Sequence, residues 1–252
     1  MHAQTQSDPA AQEQTPSRLR WVGGLLVGTF LWAIAVVAAH AIPPVFLGID
    51  LVGPTYAVVA LLFAPLALGA VVAGLRVARC RLADAGFTLG DEAARDVALG
   101  VAIAAVWAAL QFLVLIPVTG GAERADVVVN SEQIGTTLGG LGAFVLLAWG
   151  GGFAEEVYFR SHLMTSLRGI LGTSRGARAV TVLVPTLLFA MLHGYQGGWV
   201  GMLDTGAFGG LTLSLLFFWK GRLLPCVVAH AMWNTIASVV IFTLYQAGGA
   251  TG

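Results

Sequence analysis

Five polar residues in three apolar stretches of this 252-residue chain have side chains suited to acid–base chemistry. They are the adjacent carboxylates Glu155 and Glu156, the histidine His193, and the pair His230 and Asn234. A charged side chain near the centre of a bilayer costs at least about 2.5–3.5 kcal/mol, so it is usually kept for a function. A desolvated carboxylate close to histidines is the arrangement that a general base requires.

Helical spacing separates the two carboxylates. Residues i and i+4 lie on one face of a helix, so Glu156 and Arg160 are expected to form an ion pair in a low-dielectric region. A paired Glu156 leaves Glu155 as the reactive carboxylate.

The same spacing places His230 and Asn234 on a common face and stacks Phe189 beneath His193. At 1.5 Å per residue, Glu155, His193 and His230 lie roughly 20, 22 and 12 Å from the basic residues at the inner ends of their helices. Three separate helices therefore bring these groups to overlapping depths.

Composition predicts the setting for these groups. The chain is 57% hydrophobic and only 10% charged, whereas soluble domains carry about 25% charged residues. Seven apolar stretches are long enough to cross a bilayer, which predicts an all-α polytopic membrane helix bundle. The predicted spans are 21–42, 52–75, 97–118, 136–165, 179–197, 200–219 and 223–246.

The basic residues predict how the bundle is oriented. Twelve of the 13 lie at one side of these spans, and Arg124 is the exception. The positive-inside rule then places the N-terminus in the cytoplasm. We divide the chain into a disordered cytoplasmic tail at 1–20, N-terminal transmembrane helices at 21–135 and a catalytic core at 136–246.

Net charge and cysteine content exclude other classes. The net charge is zero, which argues against a nucleic-acid partner. The two cysteines, Cys80 and Cys226, are isolated in sequence. They are therefore interpreted as free thiols and not as a disulfide framework or a thiolate metal site.

Other polar and small residues have structural interpretations. Asp204 is expected to reach the membrane interface at the outer end of its span, and Asp96 falls in a predicted loop. Tyr158 and His162 are expected to serve packing or to lie at the interface. The glycines at 150–152 either allow close helix packing or bend the helix beside a cavity.

Three motifs in this order resemble those of the CAAX-protease and bacteriocin-processing (CPBP, or ABI) family, which includes the Ras-converting CAAX endopeptidase. Residues 155–160 read EEVYFR and fit EExxxR. Residues 189–193 read FAMLH and fit FxxxH, and residues 230–234 read HAMWN and fit HxxxN. The resemblance covers about 136–246 and implies an intramembrane endopeptidase.

The resemblance also implies a role for each residue. Glu155 would activate a water molecule, with Glu156 held beside it, and His193 would help to position that water. His230 and Asn234 would stabilise the oxyanion. No cofactor is then required. A zinc-dependent version would use Glu155, His193 and His230 as ligands, but the HExxH helix of zincins is absent.

The expected substrate is a membrane-associated protein or peptide, cleaved near the cytoplasmic leaflet. One lysine among 13 basic residues, with many Ala and Gly, is typical of a bacterial protein of the cytoplasmic (inner) membrane. Two other functions stay open. One is a non-enzymatic immunity or scaffold protein of the same fold. The other is a proton-coupled transporter, which would need an inverted repeat or paired broken helices.

Overall fold

Helices account for 86% of the structure, and no strand occurs in the part of the chain that it describes. This computed structural model describes residues 16–245, apart from the side chains of residues 195–197. The helices are α1 (Arg18–Phe46), α2 (Gly53–Ala78), α3 (Ala93–Val118), α4 (Ala125–Ile134), α5 (Leu138–Leu171), α6 (Arg175–Gly194), α7 (Gly198–Lys220) and α8 (Leu224–Tyr245).

Seven of these helices, all except α4, are long and apolar enough to cross a membrane. The predicted all-α bundle with seven spans is confirmed, and the chain is an integral membrane protein. The predicted tail is too long by three residues, because α1 already begins at Arg18. Residues 1–15 of that tail lie outside the described residues.

Two spans change from α- to π-helical geometry beside the motif residues. In α5 the change covers Val157–Met164, and in α7 it covers Gly206–Thr212. Such segments are rare in proteins, and those that occur are often found at functional sites. The glycines at 150–152 do not interrupt α5, which is α-helical throughout Leu138–Glu156. A Cβ at Gly150 would lie 2.9 Å from the Ala60 carbonyl oxygen, so this glycine serves close packing of α5 on α2.

The main core lies where α1, α2 and α5 meet. Trp32 stacks on Tyr158 with ring centroids 4.1 Å apart. The His162 ring occupies the space that glycines leave open, since a Cβ at either Gly28 or Gly74 would overlap it. The predicted packing roles of Tyr158 and His162 are therefore confirmed, and both residues are buried.

The turn after α2 contains the one non-glycine residue with positive φ among residues 16–245. Arg79 has φ of 55° and ψ of 35°, and it ends α2 in the left-handed conformation. The N–H groups of Arg79 and Cys80 donate to the carbonyls of Arg76 and Leu75, which closes the helix end. Glycine usually occupies such a position, because a side chain there costs about 1–2 kcal/mol.

The prediction that Asp96 lies in a loop is wrong. Asp96 belongs to the first turn of α3 and is buried. Its carboxylate accepts a 2.7 Å hydrogen bond from Arg222 and lies 3.6 Å from Lys220 Nζ. This contact ties the start of α3 to the link between α7 and α8.

Asp204 is buried and does not reach the interface as the sequence predicted. Its Oδ2 accepts hydrogen bonds from Arg124 at 2.6 Å and from Gln111 at 2.8 Å. Gln111 in turn accepts a bond from the indole of Trp233. The negative charge needs these partners, because a buried carboxylate without them is costly.

Arg124 anchors the short helix α4 to the bundle. Burial alone would lower the pKa of its guanidinium, but the bonds to Asp126 and Asp204 outweigh burial and raise that pKa. The network joins α3, α4, α7 and α8.

Replacing Arg124 with Leu should destabilise the protein by about 3–5 kcal/mol, because Asp204 would keep a buried charge without its cation. Unfolding of the purified protein in detergent measures the effect. Arg95→Leu is the matched control, since it breaks an exposed ion pair with Glu92 and should cost less than about 1 kcal/mol. Equal losses in the two variants would contradict a structural role for Arg124.

Candidate functional site

The carboxylate of Glu155 faces two imidazole rings. Its Oε2 lies 3.7 Å from Nε2 of His193 and 3.9 Å from Nε2 of His230. Oε2 has no direct hydrogen-bond partner among the described residues, and the side chain is 23% exposed. Glu155 is thus close to both histidines and remains partly exposed.

The protonation of His193 is set by its own helix. Its Nδ1 donates a 2.8 Å hydrogen bond to the carbonyl of Phe189, one turn earlier. Its ring stacks on the Phe189 ring at 4.4 Å, as the sequence predicted. In the neutral ring, Nε2 therefore carries the lone pair, and this lone pair is directed at Glu155.

Glu156 is fully buried, and its two carboxylate oxygens contact different partners. The predicted ion pair with Arg160 is present, with Arg160 Nε 3.1 Å from Oε2. The other oxygen, Oε1, accepts a 2.8 Å hydrogen bond from Nδ1 of His230. Sequence reasoning missed this second contact, which fixes the tautomer of His230 and turns its Nε2 toward Glu155.

Arg160 connects this carboxylate to two further helices. Its Nη2 donates to the carbonyl of Gly209 and lies 3.4 Å from that of Gly210, both in the π-helical segment of α7. Its guanidinium also lies over the ring of Phe189, 5.2 Å from the centroid. Arg160 thus fixes the position of the aromatic ring on which His193 stacks.

A cavity of about 250 Å³ lies beside these residues, and all eight helices contribute to its wall. Asn234 lines it one turn beyond His230, as the spacing predicted. His40 also lines it. Its position near the outer end of α1 is the one sequence feature that could have indicated this contact.

The catalytic candidates form the floor of this cavity. Glu155 and His230 are the innermost lining residues of α5 and α8, and the remaining wall extends toward α4, where Asp126 and Asn130 line it. The cavity therefore extends away from the ends of the spans that carry the basic residues. This direction does not favour the expectation of cleavage near the cytoplasmic leaflet.

A metal ion would need three or more ligands within reach of one point. Within the described part of the chain, no group of three or more His, Cys, Asp or Glu side chains has the geometry to hold a metal ion. The nearest set is Glu155, His193 and His230. Its carboxylate oxygen lies 3.7 and 3.9 Å from the two ring nitrogens, and these three side chains are the ones that would hold a zinc ion.

Gly209→Ala tests the packing beneath His193. A Cβ at this position would overlap the Phe189 ring, so we expect a loss of about 1–3 kcal/mol in unfolding free energy. Gly142→Ala is the matched control, because nothing lies within 4 Å of the added methyl group. Thermal unfolding of both variants gives the comparison, and an unchanged Gly209→Ala protein would refute the constraint.

Comparison with known proteins gives one match. Residues 137–236 match the family model described as type II CAAX prenyl endopeptidase, Rce1-like. Neither a curated protein nor a solved structure matches the chain. The matched segment contains all five candidate residues together with Phe189 and Arg160. The match over residues 137–236 supports the resemblance to the CAAX-protease (CPBP) family of membrane proteases that the three motifs indicate.

Proposed function

We propose that this protein is an intramembrane endopeptidase that hydrolyses a membrane-associated protein or peptide with water activated by Glu155. The observation that carries the proposal is the position of the Glu155 carboxylate, which faces Nε2 of both His193 and His230. A carboxylate used only for packing would be expected to bond within the protein.

In the first step, Glu155 takes a proton from water and the hydroxide oxygen attacks the peptide carbonyl carbon. The attacking water binds the Glu155 carboxylate at the cavity and donates its second hydrogen bond to Nε2 of His193. The bond from His193 Nδ1 to the Phe189 carbonyl supports this role, because it keeps the Nε2 lone pair free. General-base catalysis of this kind contributes about 10²–10⁴-fold in rate.

The negative charge that develops on the carbonyl oxygen requires donors. Asn234 supplies its side-chain amide, and His230 supplies Nε2–H when its ring is doubly protonated. Glu156 stabilises that imidazolium through its bond to Nδ1, as the carboxylate does in a catalytic triad. Glu156 therefore acts as a positioning residue for His230.

In the last step, the carbon–nitrogen bond breaks and the departing amine takes the proton held by Glu155. The products are a new carboxyl terminus and a new amino terminus, and Glu155 returns to the carboxylate form. One water molecule is consumed for each bond cleaved.

The cavity supports a substrate that enters from the side of α4. Its wall combines apolar residues of α5 with the polar side chains of Asp126 and Asn130, which suits an extended segment with exposed backbone amides. The substrate segment then reaches Glu155 from the side opposite the basic residues.

Glu155→Gln should abolish cleavage, because an amide of the same shape is unable to accept the proton. Glu132→Gln is the matched control, since Glu132 is exposed on α4 and does not line the cavity. Peptide-terminus profiling of membranes from cells that produce each variant should find the same new termini for wild type and control, and none for Glu155→Gln. Unchanged termini with a folded Glu155→Gln protein would favour the scaffold or immunity role.

We further propose that cleavage requires no metal. Treatment of the purified protein with 1,10-phenanthroline should leave its activity unchanged, and elemental analysis should find far less than one zinc per chain. A zinc-dependent protease in the same buffer is the control for chelation. Loss of activity that added zinc restores would establish the zinc-dependent alternative.

A further inference from the structure

A second cavity, about 810 Å³ in volume, lies at the opposite end of the bundle. Its wall comes from the start of α1, the α2–α3 link and the ends of α5 and α7. These are the ends that carry the basic residues, so the cavity lies at the level of the lipid head groups. It shares no lining residue with the cavity around Glu155.

The wall of this cavity carries a net positive charge. Three arginines line it, namely Arg79, Arg81 and Arg168, together with one carboxylate, Asp84. Asp84 accepts two hydrogen bonds from Arg81 at 2.9 and 3.1 Å, and this contact lowers its pKa. No ion pair joins Arg79 or Arg168 to another residue within 16–245, so their charges are available to a ligand.

The rest of the wall is apolar. Trp21 lies flat against Gly169, where a Cβ would overlap its ring, and Met164 and Phe217 complete an apolar surface below the arginines. Cationic side chains above an apolar surface match the two parts of an anionic phospholipid.

The conformation of Arg79 is a second, independent observation. The turn that ends α2 needs a left-handed residue, and glycine would occupy it without strain. An arginine there places a guanidinium on the cavity wall at a conformational cost. Strain of this kind is often retained at sites that bind ligands.

We propose that this cavity binds an anionic phospholipid, with Arg79 and Arg168 on its phosphate and Trp21 and Phe217 against its acyl chains. The lipid joins the start of α1 to the ends of α5 and α7. The proposal is independent of the protease function, because the site lies apart from Glu155.

The chain contains its own reporter for this site. Cys80 lines the cavity, and burial together with Asp84 raises the pKa of its thiol to about 11, so it reacts slowly with maleimide at mildly alkaline pH. Cys226 is fully buried in α8 and serves as an unreactive internal reference. Mass spectrometry of the labelled peptides then measures the accessibility of Cys80 alone.

The experiment measures Cys80 labelling on the delipidated full-length protein in detergent, with dioctanoyl phosphatidylglycerol as the probe. At about ten times its Kd, the lipid should slow labelling about tenfold, because protection follows 1 + [L]/Kd. Dioctanoyl phosphatidylcholine and inorganic phosphate at equal concentration should give little protection. Equal protection by either one would overturn the proposal.

Arg79→Gly combined with Arg168→Gln removes both cations and keeps the turn, since glycine accepts the left-handed conformation without strain. This variant should fold with unchanged or higher thermal stability and lose protection by phosphatidylglycerol. Arg76→Gln with Arg175→Gln is the matched control, because both side chains are exposed on the same side and neither lines the cavity. Protection that survives in the first variant, or is lost in both, would overturn the proposal. The proposal would also be overturned if Cys80 were labelled only after removal of residues 2–15. In that case the N-terminal part of the chain, and not a lipid, would fill the cavity.

Discussion

The ion pair between Glu156 and Arg160 is the constraint on which the arrangement of α5, α7 and α8 depends. Neither side chain reaches solvent, so each charge needs its partner. Beyond the ion pair, His230 of α8 donates to Glu156 and the carbonyl of Gly209 in α7 accepts from Arg160. The charges of Glu156 and Arg160, one helical turn apart in α5, therefore constrain where α7 and α8 lie relative to α5.

This constraint explains how two adjacent carboxylates differ. Neighbours on a helix point about 100° apart, since one turn takes 3.6 residues. Glu156 is thereby directed into the bundle, where Arg160 and His230 bind it, while Glu155 is directed toward the cavity with one oxygen unbonded. Environments that push two carboxylates into different roles are a recurring feature of hydrolytic sites. In this chain the difference follows from rotation about one helix axis.

The sequence predicted features that belong to one helix at a time. Hydropathy located all seven spans, and i, i+4 spacing predicted the Glu156–Arg160 pair and the stacking of Phe189 on His193. Contacts between helices were missed or misread, as with Glu156 and His230, or with Asp204 and its buried partners. Such contacts depend on how far each helix is rotated about its axis, which single-helix periodicity does not specify. Hydropathy did not predict helix α4, because this helix has only ten residues and is amphipathic.

The two cavities lie at opposite ends of the bundle, and their linings differ accordingly. Around Glu155 the wall extends toward α4, whose anchor is the buried Arg124–Asp204 pair. At the other end the wall is cationic and is built from helix ends around Arg79. A bilayer presents anionic head groups mainly on the side where basic residues collect, so lipid and substrate would meet the protein at separate ends. The π-helical part of α5 runs between them, and its residues 157–164 are all buried. This segment is therefore the part of α5 that connects the two cavities, and Arg160 within it contacts α7.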